Sequence, residues 1–134
     1  MRLARTASNL TAMAAAGLVV ACQSSGPGNL TLKSSEPALP AMEQIALAAS
    51  NCWFKSNDRE FRAYRIAPEL NSFSGRPRIL IVPRSNPEDR PLAVVEGEGN
   101  PATISAYGPL LADPVGNRMV SDLRRWNDGS SACT

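Results

Sequence analysis

The chain offers few side chains able to do chemistry at neutral pH, because its 134 residues contain no histidine. Without an imidazole, Ser-His-Asp and Cys-His catalysis are excluded, together with the usual histidine-bearing zinc and copper sites. Acid–base work then falls to carboxylates. Glu96 and Glu98 stand two residues apart, which on an extended chain puts both on one side. With Asn100 they could also offer oxygen ligands to calcium. No complete metal loop accompanies them, and acidic residues at a Gly-rich hairpin end usually serve solubility. Gly97-Glu98-Gly99 follows a strand pattern but has no helix pattern or lysine behind it, so it is not a phosphate loop. We therefore assign no catalytic residue, no metal ligand and no cofactor, and expect a protein that is not an enzyme.

Six arginines, Arg62, Arg65, Arg76, Arg78, Arg84 and Arg90, follow one another with no lysine between them. Their forked donors suit anionic groups such as lipid phosphates. Glu60, Glu69, Glu88 and Asp89 lie among them, and a neutralised, solvated surface is the expectation. Tyr107-Gly108-Pro109-Leu110-Leu111 reads either as an exposed partner-binding lip or as the corner that seats the following helix, and the corner is favoured. Should this region meet a partner, Tyr107 and Pro109, with Arg84 and Arg90 from the Pro83 to Arg90 loop, are the candidate contacts. Trp53 and Trp126 fall on the apolar faces of helical patterns and are expected in the core.

Positioning these residues requires a small α+β domain. Between Pro40 and Ser56, Met42, Ile45, Ala46, Ala49, Cys52 and Trp53 recur at the spacing of one helical face. Four strands follow: Glu60 to Ala67, ended by Pro68; Arg78 to Val82; Leu92 to Glu96; and Ala102 to Tyr107. The turn-rich segments Asn71 to Arg76, Pro83 to Arg90 and Gly97 to Pro101 connect them as an antiparallel meander. Asp113 is a natural N-cap, Pro114 suits the first helical turn, and Val115, Met119, Leu123 and Trp126 give the closing helix an apolar stripe before Asp128-Gly129 stops it. Arg118, Asp122 and Arg125 fall mainly on its other side. Both helices should cover one sheet face.

The start of the chain belongs to none of this. Arg2 and Arg5 precede Leu10 to Val20, eleven residues without charge. A membrane span needs about 20 apolar residues, whereas a signal peptide needs roughly 7–15. The run ends in Val19-Val20-Ala21-Cys22, which resembles the lipobox of bacterial lipoproteins, with Val where Leu is commonest at position 19. The alternative is an ordinary signal peptide with a chance cysteine. The resemblance implies cleavage before Cys22 and acyl chains on that residue, two or three of which hold a membrane far better than one. It also implies, because Gln23 rather than Asp follows the cysteine, an outer membrane location over the inner. Residues 22–39, rich in Ser, Gly and Pro, read as a flexible tether to a domain spanning 40–134.

Lipidation of Cys22 would leave Cys52 and Cys133 as an even pair, which an oxidising envelope would couple; two buried free thiols are the alternative. Losing Arg2 and Arg5 lowers Lys plus Arg from 14 to 12, equal to the 12 Asp plus Glu. A neutral mature chain lacks the basic footprint of a nucleic-acid binder. The chain thus resembles small envelope lipoproteins. The expected role is non-enzymatic, binding another envelope component or organising an assembly from a lipid anchor, with inhibition of a periplasmic or host hydrolase through an exposed loop, Pro83 to Arg90 being the best candidate, as the alternative.

Overall fold

A computed structural model describes residues 28–134. The expected signal segment, Cys22 and the first residues of the expected tether lie outside the described residues. The architecture is α+β, with a five-stranded antiparallel sheet and two principal helices.

Strand β1 (Asn29–Lys33), helix α1 (Ala38–Ala49), strands β2 (Tyr64–Glu69), β3 (Arg78–Pro83), β4 (Ala93–Gly99) and β5 (Ala102–Tyr107), and helix α2 (Pro114–Asn127) follow in that order. Strands β2 to β5 form the expected meander, and β1 adds to the free edge of β5, giving the order β1-β5-β4-β3-β2. Antiparallel pairing places the starts of β1, β2 and β4 and the ends of β3 and β5 together, since Asn29 and Val94 both face Tyr107, Ile81 faces Ala93 and Tyr64 faces Pro83. This is called the Tyr107 end below, and the opposite one the Ala102 end.

Alternation sends Leu30 and Leu32, Ile79 and Ile81, Ala93 and Val95, and Ala102, Ile104 and Ala106 to one face, where all are buried. Helix α1 packs on β3, β4 and β5 of that face, and α2 packs on α1 and β1. Small residues allow the close approach. Gly97 lies beneath α1, where a Cβ would stand 2.8 Å from Met42 Cγ. Helix α1 continues as a π-helical stretch, Ser50–Lys55, whose wider turn carries both Cys52 and Trp53 into the core.

Three expectations are corrected. The tether expected over 22–39 is shortened by β1, because Asn-Leu-Thr-Leu-Lys alternates and its two leucines find burial only once β5 supplies a free edge. The domain accordingly begins before residue 40, and the sheet has five strands, not four. Pro68 lies inside β2 instead of ending it, as an edge strand has no neighbour on its outer side to require an N–H. Finally, Asp122 is buried rather than turned to solvent, at 3% exposure. Trp53 and Trp126 are in the core as expected, each at 1%.

Candidate binding surface

Polar chemistry concentrates in two places, one under the helices and one on the bare side of the sheet. Under the helices, the Trp53 indole donates to Asp122 Oδ2 at 2.7 Å, and Arg125 donates to Asp122 Oδ1. Arg118 reaches Asp122 at 3.6 Å and Glu60 at 3.4 Å, and pairs with Asp58. Burial works against the Arg118 cation, but the hydrogen bond and charge of Asp58, with Asp122 and Glu60, outweigh it and raise its pKa above the ordinary arginine value. Trp53 stacks on Phe61 at 4.8 Å between ring centres and tilts against Trp126 at 5.0 Å. Cys52 and Cys133 lie at disulfide-bonding distance, with sulfurs 2.06 Å and Cα atoms 5.2 Å apart. Trp126 donates to the carbonyl of Ala132 at 2.9 Å, holding the tail in place. With its donors and acceptors engaged, this cluster is a clamp joining α1, α2 and the carboxyl terminus.

On the other face, no helix covers the sheet among the described residues. Register aligns Thr31, Ser105, Glu96, Arg78 and Glu69 in one row across all five strands. The next row is Asn29, Tyr107, Val94, Leu80 and Ala67. One row is thus charge-alternating and its neighbour mostly apolar. Arg78 binds Glu69 at 2.5 Å, and Arg76 spans Glu98 at 3.1 Å and Glu96 at 3.9 Å. The Tyr107 hydroxyl donates to Glu96 Oε2 at 3.5 Å, and partial burial, followed by the charge of Glu96, pushes its pKa above the usual tyrosine value.

Beside this face, the β2–β3 connection presents Phe73 entirely to solvent, at 112% exposure. The loop is braced from within. Ser72 Oγ lies 2.7 Å from Ser74 Oγ and donates to the Arg76 carbonyl at 3.0 Å, while Gly75 N–H donates to the Ser72 carbonyl at 3.1 Å. Gly75 takes φ +71°, which a β-carbon would strain. An open concavity lined by Pro68, Glu69, Leu70, Phe73 and Arg78 joins the loop to the charged row. Comparison with protein-family models, with curated proteins and with solved structures finds no match.

The residues singled out by sequence are distributed over these regions. Glu96 and Glu98 do share a side, but Arg76 stands across both, so they form an ion-pair network. Among the described residues no group of three Cys, Asp or Glu side chains is placed to hold a metal ion. Tyr107, Pro109, Arg84 and Arg90 all gather at the Tyr107 end, although only Tyr107 lies on the bare face. Leu110 and Leu111 are buried and Leu110 N–H donates to the Leu92 carbonyl at 2.9 Å, making this segment a corner. Gly108 permits that corner at φ +124°, where a Cβ would meet the Leu92 carbonyl oxygen at 2.5 Å. Phe73 and Leu80 were not singled out. A lone aromatic in the turn-rich Asn71 to Arg76 run was the available signal for the first; for the second there was none, since a strand's two faces look alike until one is covered.

Proposed function

We propose that the chain is a lipid-anchored envelope protein whose domain binds another protein through the bare sheet face and the Phe73 loop. The observation that carries this reading is the pairing of an apolar row with a charge-alternating row on an uncovered sheet, flanked by a fully exposed aromatic on a braced loop. Apolar area supplies affinity, fixed charges select the partner, and bracing reduces the entropy lost when the loop is immobilised. The lipobox resemblance supports an envelope location for this surface, with the outer membrane favoured.

Photo-crosslinking in the native envelope tests it. A crosslinking residue at Leu80 or Phe73 should give a discrete adduct, whereas one at Leu47, exposed on α1, should not. Equal labelling at all three positions overturns the reading. The braced Phe73 loop also favours a second one, insertion into the active-site cleft of a hydrolase. Failure to slow any of a panel of proteases and lysozymes removes it.

A further inference from the structure

The cations of the domain divide sharply by whether they have a partner. Arg76, Arg78, Arg118 and Arg125 are ion-paired, and Lys33 is hydrogen-bonded to Thr103. Lys55, Arg59, Arg62, Arg65, Arg84 and Arg90 make no side-chain hydrogen bond or ion pair among the described residues. All six come from two short segments, Lys55 to Arg65 and Arg84 to Arg90. The fold brings these together, because Tyr64 faces Pro83 and Arg84 N–H donates to the Ala63 carbonyl at 2.8 Å. Arg62 and Arg84 line one cavity of about 180 Å³ with Trp53, Phe54 and Phe61. Asp58, also on its wall, is taken by Arg118, as is Glu60. Glu88, Asp89 and Asp113 are the other carboxylates near this end, so the cations remain in excess. Glu36 and Asp128 lie at the opposite end.

This basic end is the Tyr107 end, where the chain before the domain also leaves. The carbonyl of Gly28 accepts from Gly108 N–H at 3.3 Å, next to Tyr107. Cys22 is six residues earlier. However those residues are arranged, they reach at most roughly 20 Å. The sheet is itself about 19 Å across from β1 to β2, so an anchor at Cys22 lets the unpartnered cations of this end reach the lipid surface.

We propose that the cavity between Arg62 and Arg84 takes the phosphate of an anionic lipid headgroup, with the surrounding cations resting on the same surface. The lipid as occupant rests on the anchored reading above. A basic surface near one acyl anchor acts as a second attachment and fixes orientation, turning the Tyr107 end to the membrane and leaving the Phe73 loop on the side away from it.

The test uses residues 22–134 with Cys22→Ser, so that neither the segment before Cys22 nor an acyl group contributes, and flotation with vesicles of phosphatidylcholine with or without phosphatidylglycerol. Preferential binding to phosphatidylglycerol is expected, weakened by salt and reduced about tenfold in Arg62→Gln/Arg84→Gln. Arg76→Gln, at the other end, should bind as the parent does. Equal binding to both vesicles, or a preference that the double substitution leaves undiminished, overturns the proposal. A Trp53 fluorescence change with inorganic phosphate but no vesicle preference reassigns the cavity to a free phosphate and also overturns it. Mass spectrometry of the native protein checks the anchor separately: an unlipidated Cys22 beside intact vesicle preference would sink the anchored reading while leaving the headgroup site standing.

Discussion

Asp122 and Glu96 are both carboxylates facing arginine, yet they sit in opposite settings. Asp122 is enclosed by two helices, with the Trp53 indole, Arg118 and Arg125 converging on it. Glu96 lies on a sheet face without a covering helix, its side chain at 19% exposure, with Arg76 at 3.9 Å and the Tyr107 hydroxyl at 3.5 Å. A desolvated carboxylate must be fully matched or the fold suffers, whereas one that keeps part of its surface in solvent exchanges its partner at smaller cost. The first region is therefore built to hold shape, and the second is available for recognition. Substitutions on the two sides should separate stability from binding.

The largest effect is expected from the Cys52–Cys133 pair. Its sequence separation of 81 corresponds to about 4 kcal/mol in the chain-entropy treatment. Reduction, or Cys52→Ala with Cys133→Ala, should lower the denaturation midpoint accordingly, and an unchanged midpoint would remove the tail from the clamp. Asp122→Ala comes next. It leaves the buried Trp53 indole donor without an acceptor and removes one carboxylate from Arg118 and Arg125, which keep Asp58, Glu60 and the Ala132 carbonyl, a loss of about 3 kcal/mol by urea unfolding. Should Asp122→Ala cost no more than a surface change, the contrast between the two regions fails.

Smaller effects on stability, paired with large ones on binding, are expected across the bare face. Phe73→Ala and Leu80→Ser should each change stability by less than about 1 kcal/mol while abolishing the crosslinked adduct. Loss of folding in either would show that the face contributes to structure. The smallest effect concerns Tyr107. Its phenol is neutral at low pH in both folded and unfolded chains, and its folded pKa lies above the ordinary 10.0. Stability should therefore decline as pH rises past that value, and Tyr107→Phe should flatten the decline. An identical alkaline slope in the variant would argue against the upward shift of the Tyr107 phenol by burial and Glu96.

Local pattern made some elements legible and concealed others. Ala102 to Tyr107 is a strand with the expected bounds, since alternation and flanking turn residues agree. Helix α2 begins at Pro114 after Asp113, as expected from its capping signals, although the Asp113 side chain makes no cap bond. Strand β1 was concealed within Ser, Gly and Pro. Two leucines in five residues are too few to imply a strand, and their burial depends on β5, about 75 residues away. The π-helical stretch was equally hidden, because widening one turn changes which residues face inward without changing composition.

For the functional surface the division is sharper. The sequence by itself determined the absence of histidine, the uncharged apolar run that precedes Cys22, the presence of two further cysteines and the excess of arginine over lysine in the sheet region. Those are matters of residue type and order. Only the tertiary structure decided which arginines meet a carboxylate, which sheet face is left bare, and that the unpartnered cations share an end with the chain leading back to Cys22. Partnership, exposure and proximity depend on register between strands distant in sequence, and no local window of residues contains that register.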